Sequence, residues 1–215
     1  MTKIVAIMPI KLKNERLPGK NTMLLGEKPL LRYELDNLIL TEMLDSINVY
    51  CSDKAIIPYL PTGVNFTQRP SYLDLPTSNF TQIFKCFMQQ NDADIYVYAH
   101  ATAPFIKVST MKQGIEAVLS GKYDSAFCAS KIQDYLWQDG EPLNFDASNM
   151  PRSQDLPIIY RETSGVYVFT KNVFHQYHRR IGKHPYIMEV SFKESVDINL
   201  PEDFELAKIL LNYNI

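Results

Sequence analysis

The chain has 215 residues, 46% of them hydrophobic and 21% charged, with a formal net charge of −2. Those values fit a soluble globular protein of one ordinary domain, and they suggest neither a basic nucleic-acid surface nor, with no long apolar run, a membrane span. Cys51, Cys86 and Cys128 are widely spaced and lack a C-x-x-C pair, which argues against a disulfide framework or a cysteine zinc site, and with no signal-peptide pattern at the N-terminus we expect a cytoplasmic protein.

The first element is "KIVAIMPI" (3–10), a β-branched, nearly all-apolar run that fits a strand covered on both faces. A polar loop, "KLKNERLPGKN" (11–21), follows. "PLLRYELDNLILTEMLD" (29–45) puts Leu31, Leu35, Leu38 and Ile39 at helical spacing, with Pro29 suited to the first turn. "SINVYCSD" (46–53) reads as a second strand, "SNFTQIFKCFMQQ" (78–90) as a helix, and "DIYVYAHATAPFI" (94–106) as a central strand running into a loop. "VSTMKQGIEAVLSGKYD" (108–124) reads as a helix with Ser109 or Thr110 as its N-cap and Gly121 at its end. "SAFCASKI" (125–132) is another strand. Residues 133–160 break this rhythm with turns, prolines and the only Trp, and we read them as an arm with a hairpin at "QDGEP". "SGVYVFTKNVF" (164–174) returns as strand then helix, "PYIMEVSFKESVDI" (185–198) gives one or two strands, and "LPEDFELAKILLNY" (200–213) a final helix with Pro201, Glu202 and Asp203 in its first turn.

Strands alternating with helices at this spacing imply right-handed βαβ crossovers and a mostly parallel sheet. Ligands bind such sheets beyond the carboxyl ends of the strands. The 11–21 loop, Ser52 with Asp53, and "HATAPF" (100–105) all belong at that edge. The loop matches neither the dinucleotide fingerprint nor the Walker pattern. It follows a first strand and gathers Lys11, Lys13, Arg16 and Lys20, so its cations and backbone N–H groups can face an anion. The alternative for such a cluster is a solvated turn.

The segment "MPIKLKNERLPGKN" resembles the signature of the sugar-activating cytidylyltransferases, the family of the acylneuraminate (CMP-sialic acid) and CMP-Kdo synthetases. "RLPGKN" is intact and "GEKPLL" follows at the expected distance. The likeness continues in order through "QRPSYL" (68–73), "AHATAPFI" (99–106), "PRSQDLPIIYRETSGVYVF" (151–169) and "SVDINLPEDFELA" (195–207), and it is nearest the sialic acid branch. It implies a three-layer α/β, Rossmann-like (GT-A-like) nucleotidyltransferase, one domain over residues 1–215, with 133–160 as a projecting arm for dimerisation. It also implies a reaction in which a sugar hydroxyl attacks the α-phosphate of CTP and pyrophosphate leaves, with Mg²⁺ or another divalent cation as cofactor and a homodimer as the assembly.

Carried over residue by residue, the resemblance places Lys20 and Arg16 on the triphosphate. Lys11, Asn21, Arg69 and Ser78 fall on the nucleotide, Arg69 reading cytosine. Lys11 stands where the sialic acid branch usually has Arg, so a point charge replaces a fork. The family's metal stretch, usually D-x-D, is Asp197-Ile198-Asn199 here. Residues i and i+2 share a face in extended chain, so Asp197 is the anionic Mg²⁺ ligand and Asn199 offers only a carbonyl oxygen. His100 replaces Gln and Ile106 replaces Arg in the block that meets the sugar, where orientation of the acceptor is the role expected for His100, with proton transfer as the alternative. Arg152, Gln154 and Arg161 lie in the block that recognises the sugar carboxylate, which suits arginine. In that block Ser153 interrupts an Arg-Gln pair and "ETSG" carries one residue more than usual, leaving open which arginine serves.

Two rivals remain at this level: a nucleotidyltransferase using another nucleotide or alcohol, and a nucleotide-binding protein without turnover, favoured by Asn199 and Lys11. A glycosyltransferase is weaker, because "HATAP" lacks the acidic pair expected there. His175 with His178 lacks a third metal ligand, and "HRRIGKH" (178–184) reads as a solvated basic face.

Overall fold

The structure, a computed structural model, describes residues 1–213. In chain order it contains β1 (Ile4–Ile10), β2 (Leu24–Leu25), β3 (Lys28–Pro29), α1 (Leu30–Leu40), β4 (Ser46–Cys51), β5 (Val64–Gln68), α2 (Phe80–Met88), β6 (Ile95–Ala99), α3 (Val108–Leu119), β7 (Ser125–Ile132), β8 (Trp137–Gln138), β9 (Glu141–Pro142), β10 (Ile159–Thr170), α4 (Lys171–Tyr177), β11 (Pro185–Glu189) and α5 (Pro201–Asn212). Seven strands form one sheet in the order β11-β7-β10-β6-β1-β4-β5. β10 runs antiparallel to both β6 and β7; the other pairings are parallel.

Period-2 alternation along β1 explains the layers. Ala6 and Met8 face a core shared with Leu31, Leu35 and Leu38 of α1 and Met111, Ile115 and Val118 of α3. Val5 and Ile7 face the opposite core, built with Phe84 and Phe87 of α2 and Val173 and Phe174 of α4. Helices therefore cover both faces, which is why β1 and β6 are apolar on both sides. Phe84 is fully buried and lies 4.7–5.0 Å, centroid to centroid, from Tyr96, Phe169 and Phe174. A side chain of that size contributes about 1.5–3 kcal/mol by burial alone. No helix among the described residues is long and apolar enough to cross a membrane. All three cysteines are free, Cys51 and Cys128 being buried.

Several boundaries differ from the sequence reading. Pro29 is the N-cap of α1 rather than part of its first turn, and α1 stops at Leu40, with Glu42 at φ 56° turning the chain away. The N-cap position of α3 is Lys107, with no side-chain capping bond, so neither Ser109 nor Thr110 fills it; the Thr110 hydroxyl donates to Glu194 at 2.6 Å. The edge strand β5, which the sequence reading does not include, packs Val64 and Phe66 on the first core and leaves Asn65 and Gln68 exposed. β10 begins at Ile159, inside the expected arm, and "SFKESVDI" is irregular apart from turns. The "QDGEP" hairpin is present: β8 and β9 are joined by Asp139 (φ 52°) and Gly140 (φ 88°), the two positive angles of a tight type I′ loop. Around it Tyr135, Trp137 and Phe145 pack together, while Trp137, Leu143 and Met150 stay well exposed.

Candidate active site

The loop after β1 is anchored by one apolar residue. Leu17 is nearly buried in a third small core with Leu25, Leu30, Ile198, Phe204 and Ala207, so the "RLPGK" segment rests on α5 and the chain leading into it. Gly19, at φ 69°, makes the sharp turn that brings Lys20 inward. Lys20 is buried, and its Nζ donates to the Ile198 carbonyl at 2.8 Å. On the other side of Leu17, Arg16 donates to Asn199 Oδ1 at 2.8 Å, and Asn199 Nδ2 donates to Asp197 Oδ2 at 2.7 Å. One apolar anchor and two hydrogen bonds thus dock two cations onto the D-x-N stretch. That stretch is itself fixed: the Ile198 N–H donates to the Thr102 carbonyl, and the Asn199 and Leu200 N–H groups donate to Asp203 at the start of α5, each at 2.8 Å.

Asp197 and Asn199 face one side although the segment is not a strand, as the i, i+2 argument requires. Asp197 Oδ1 is buried and has no partner among the described residues. Asn199 Oδ1 already accepts from Arg16, so a metal ligated there would share that oxygen with a guanidinium. Burial pushes the Lys20 ammonium down from its ordinary value, Asp197 opposes that, and Arg16 adds to it. Asn21 is nearly buried and spans the loop by donating to the Lys11 carbonyl at 3.0 Å, which makes it a strut between the loop's two ends. Lys11 pairs loosely with Glu15 at 3.5 Å. Lys11, Lys13, Asn14, Glu15, Arg16, Leu17 and Lys20 line a depression of about 270 Å³. Four cations against one carboxylate give it a strongly positive lining.

A neighbouring cleft of about 520 Å³ shares Lys13 and is lined by Leu12, Ser52, Asp53, Lys54, Gln68, Ser71 and Asp74. Arg69 lies beneath it, 3% exposed and paired with Asp74, which also accepts from Ser52. Its Nε is buried without a partner among the described residues. Asp53 accepts from the Ala55 N–H at 2.9 Å and so caps a short 3₁₀ turn. Ser78 donates to the Tyr72 carbonyl at 3.2 Å and closes the turn before α2.

His100 follows the carboxyl end of β6. Burial first, and Arg180 next, lower its imidazole to about 4; Asp197 and Lys20 also act on it, with opposite signs, which ties His100 to the same crevice. Arg180 Nη1 lies 3.4 Å from His100 Nε2. Arginine can only donate, so Nε2 accepts and the ring proton sits on Nδ1. Arg180 belongs to the "HRRIGKH" stretch that reads as a solvated face in sequence; the structure instead folds it onto β6 and β10. Ile106 is fully buried in the core, not in the crevice, and it packs so close to Gly165 that a Cβ there would lie 2.6 Å from its Cδ1.

Among the described residues, the other residues expected on the sugar side make no hydrogen bond to this cluster. Arg152 is exposed and already forked onto Asp155 at 2.7 and 3.2 Å. The Gln154 carbonyl accepts from Gln133. Arg161 is exposed beside Ser130 and, by strand alternation, faces away from its neighbour Glu162. The additional residue of "ETSG" corresponds to a bulge. Glu162 pairs with Ala129 and Tyr167 with Phe127, leaving Thr163 to Val166 opposite Cys128 alone.

Residues 5–214 match the family described as Cytidylyltransferase. The chain is 25% identical to the pseudaminic acid cytidylyltransferase of Campylobacter jejuni (strain 81-176) over 99% of this chain and 97% of that protein. It is 24% identical to the N-acylneuraminate cytidylyltransferase of Oncorhynchus mykiss over 95% of this chain and 49% of that protein. Among solved structures, a CMP:2-keto-3-deoxy-manno-octonic acid synthetase complexed with CTP superposes with a TM-score of 0.73 at 16% identity over 98% of both chains. The 4-diphosphocytidyl-2C-methyl-D-erythritol synthase of Anaerococcus prevotii superposes with a TM-score of 0.68 at 13% identity over 99% of both. Both share the α/β fold with its mostly parallel central sheet.

Proposed function

The chain belongs to the cytidylyltransferase family, and on that premise we propose that it activates a sialic-acid-like nonulosonate, or a related 2-keto-3-deoxy sugar acid, with CTP. The sugar hydroxyl oxygen bonds to the α-phosphorus, the bond from that phosphorus to the bridging oxygen breaks, and pyrophosphate leaves with that oxygen; the hydroxyl proton passes to water. The observation that carries this reading is the meeting of Arg16 and Lys20 with Asp197, residues from opposite ends of the sequence. The charge of such a reaction lies on non-bridging oxygens, so positioned cations supply most of the catalysis.

Lys20 and Arg16 serve the triphosphate, with Lys11 and Lys13 extending the cationic floor. Asn21 acts by holding the loop's shape, and Arg69 has a free buried N–H suited to a cytosine acceptor. His100 orients the acceptor through Nδ1–H; its depressed basicity and occupied Nε2 make it a poor proton acceptor near neutrality. Asp197 has the chemistry to hold a divalent cation such as Mg²⁺, because a buried carboxylate oxygen without a partner among the described residues fits a hard cation that keeps water and phosphate as its other ligands. That ion would neutralise phosphate charge when bound. Exposed Trp137, Leu143 and Met150 on the arm suit burial in a second copy, hence a homodimer. The same reading makes the enzyme cytoplasmic, with CTP and the sugar acid as its partners and with no nucleic acid or membrane involved.

Pyrophosphate release from each of four nucleoside triphosphates, with a panel of 2-keto sugar acids and with Mg²⁺ or EDTA, tests the proposal. We expect release from CTP alone, dependent on acid and metal, falling at least 100-fold in Lys20→Ala and Asp197→Ala with folding intact. CTP binding without release across the panel would select the non-catalytic reading instead.

A further inference from the structure

We propose that Arg180 is the residue that grips the carboxylate of the acceptor sugar, presented for that purpose by the bulge in β10. The inference rests on the sugar-acid reading above. The guanidinium carbon lies 3.6 Å from the centre of the Tyr167 ring, with Phe80 and Tyr98 further out at 5.6 and 5.8 Å. This aromatic floor fixes a flat, weakly hydrated cation in one plane. Nη2 donates to the Tyr167 hydroxyl at 2.9 Å, and Nη1 meets His100. The one carboxylate paired with it among the described residues, Glu162, stands 3.5 Å away, and that side chain is 46% exposed. Glu162 is also held at 2.5 Å by the Tyr167 hydroxyl, which donates to it. Nε has no acceptor among the described residues. Arg180 is thus three-quarters buried, rigid and incompletely paired, a state that suits an incoming carboxylate able to take two N–H groups at once.

The bulge explains the arrangement. The residues between Glu162 and Tyr167 loop out of the β7 ladder, and the Tyr167 hydroxyl closes back on the Thr163 carbonyl at 3.1 Å. Bulges re-aim side chains in this way beside active sites. Here one aims both Glu162 and Tyr167 at Arg180, on the His100 side of β10. Arg152, by contrast, is exposed, lacks an aromatic floor and is forked onto Asp155, and Arg161 faces the opposite side of the strand.

The test uses the full chain with CTP at saturation and N-acetylneuraminic acid, 2-keto-3-deoxy-manno-octonic acid or pseudaminic acid as the varied acceptor. The acid that supports turnover is then compared with its methyl ester. We expect wild type to prefer the free acid at least tenfold in kcat/KM. We expect Arg180→Met to lose that preference and to raise the KM for the acid at least tenfold, with the KM for CTP changed less than twofold. Arg180→Lys, which keeps the charge but not the fork, should fall between the two, and it carries the comparison if the Met variant does not fold. A variant that still prefers the acid over the ester as wild type does overturns the assignment of Arg180 alone. Wild type that turns over none of the three acids overturns the sugar-acid reading and this inference with it.

Discussion

Lowering the pH from 7.5 to 5.0 should destabilise this protein through His100, and His100→Gln should remove that share of the loss. Burial and the neighbouring Arg180 hold the folded imidazole at about 4, against an ordinary value of 6.5. The contact from Arg180 to Nε2 exists only for the neutral ring. As pH falls through 6.5 the unfolded chain takes up a proton that the folded chain refuses until about 4, so stability is fully present above 6.5 and is lost across that window. Each pH unit inside it is worth about 1.4 kcal/mol, which gives an upper bound of roughly 2 kcal/mol at pH 5.0. The ring keeps some contact with solvent, which brings the expected value to about 1–2 kcal/mol. Urea unfolding of wild type and His100→Gln at both pH values measures the difference directly. If both proteins lose the same stability on acidification, the burial and Arg180 contact assigned to His100 are wrong.

Leu17→Ala should cost about 2 kcal/mol by opening the small core under the loop, and the KM for CTP should rise because Arg16 and Lys20 lose their common anchor; thermal melting and kinetics check the two effects separately. Gly165→Ala should destabilise the protein by about 1–3 kcal/mol through overpacking against Ile106 and Cys128, read by urea unfolding. Trp137→Asp should shift the proposed homodimer to monomer in light scattering coupled to size exclusion while leaving the unfolding midpoint of the core nearly unchanged.

The sheet was legible because its central strands are covered on both faces, so "IVAIMPI" and "IYVYA" carry unbroken apolar runs. The edge strand β5 was not, since only Val64 and Phe66 of "VNFTQ" are apolar, too short an alternation to stand out from the turns around it. The cationic loop announced itself by its charges and its Pro-Gly turn. What the residues could not announce was Leu17, an ordinary apolar residue whose importance lies in partners found after residue 197. Arg180 was hidden for a related reason. In "HRRIGKH" it looks like any exposed cation, and its burial depends on β6 and β10 arriving from elsewhere in the chain. The one local clue was the additional residue in "ETSG", which becomes the bulge that receives it. Asp197 and Asn199 were expected on one face of a strand; the face is right and the strand is absent, because Thr102 and Asp203, not a ladder, hold that segment extended.

Arg16 and Asn199 stand 183 positions apart in the chain, and Lys20 lies 178 from the carbonyl that holds it. A growing polypeptide can lay down most of the sheet long before these partners meet. The proposed catalytic centre therefore completes only when α5 has left the ribosome and closed over Leu17. Nascent fragments should fail to bind CTP, and proteolytic nicking just before Pro201 should silence the enzyme while its β-sheet survives.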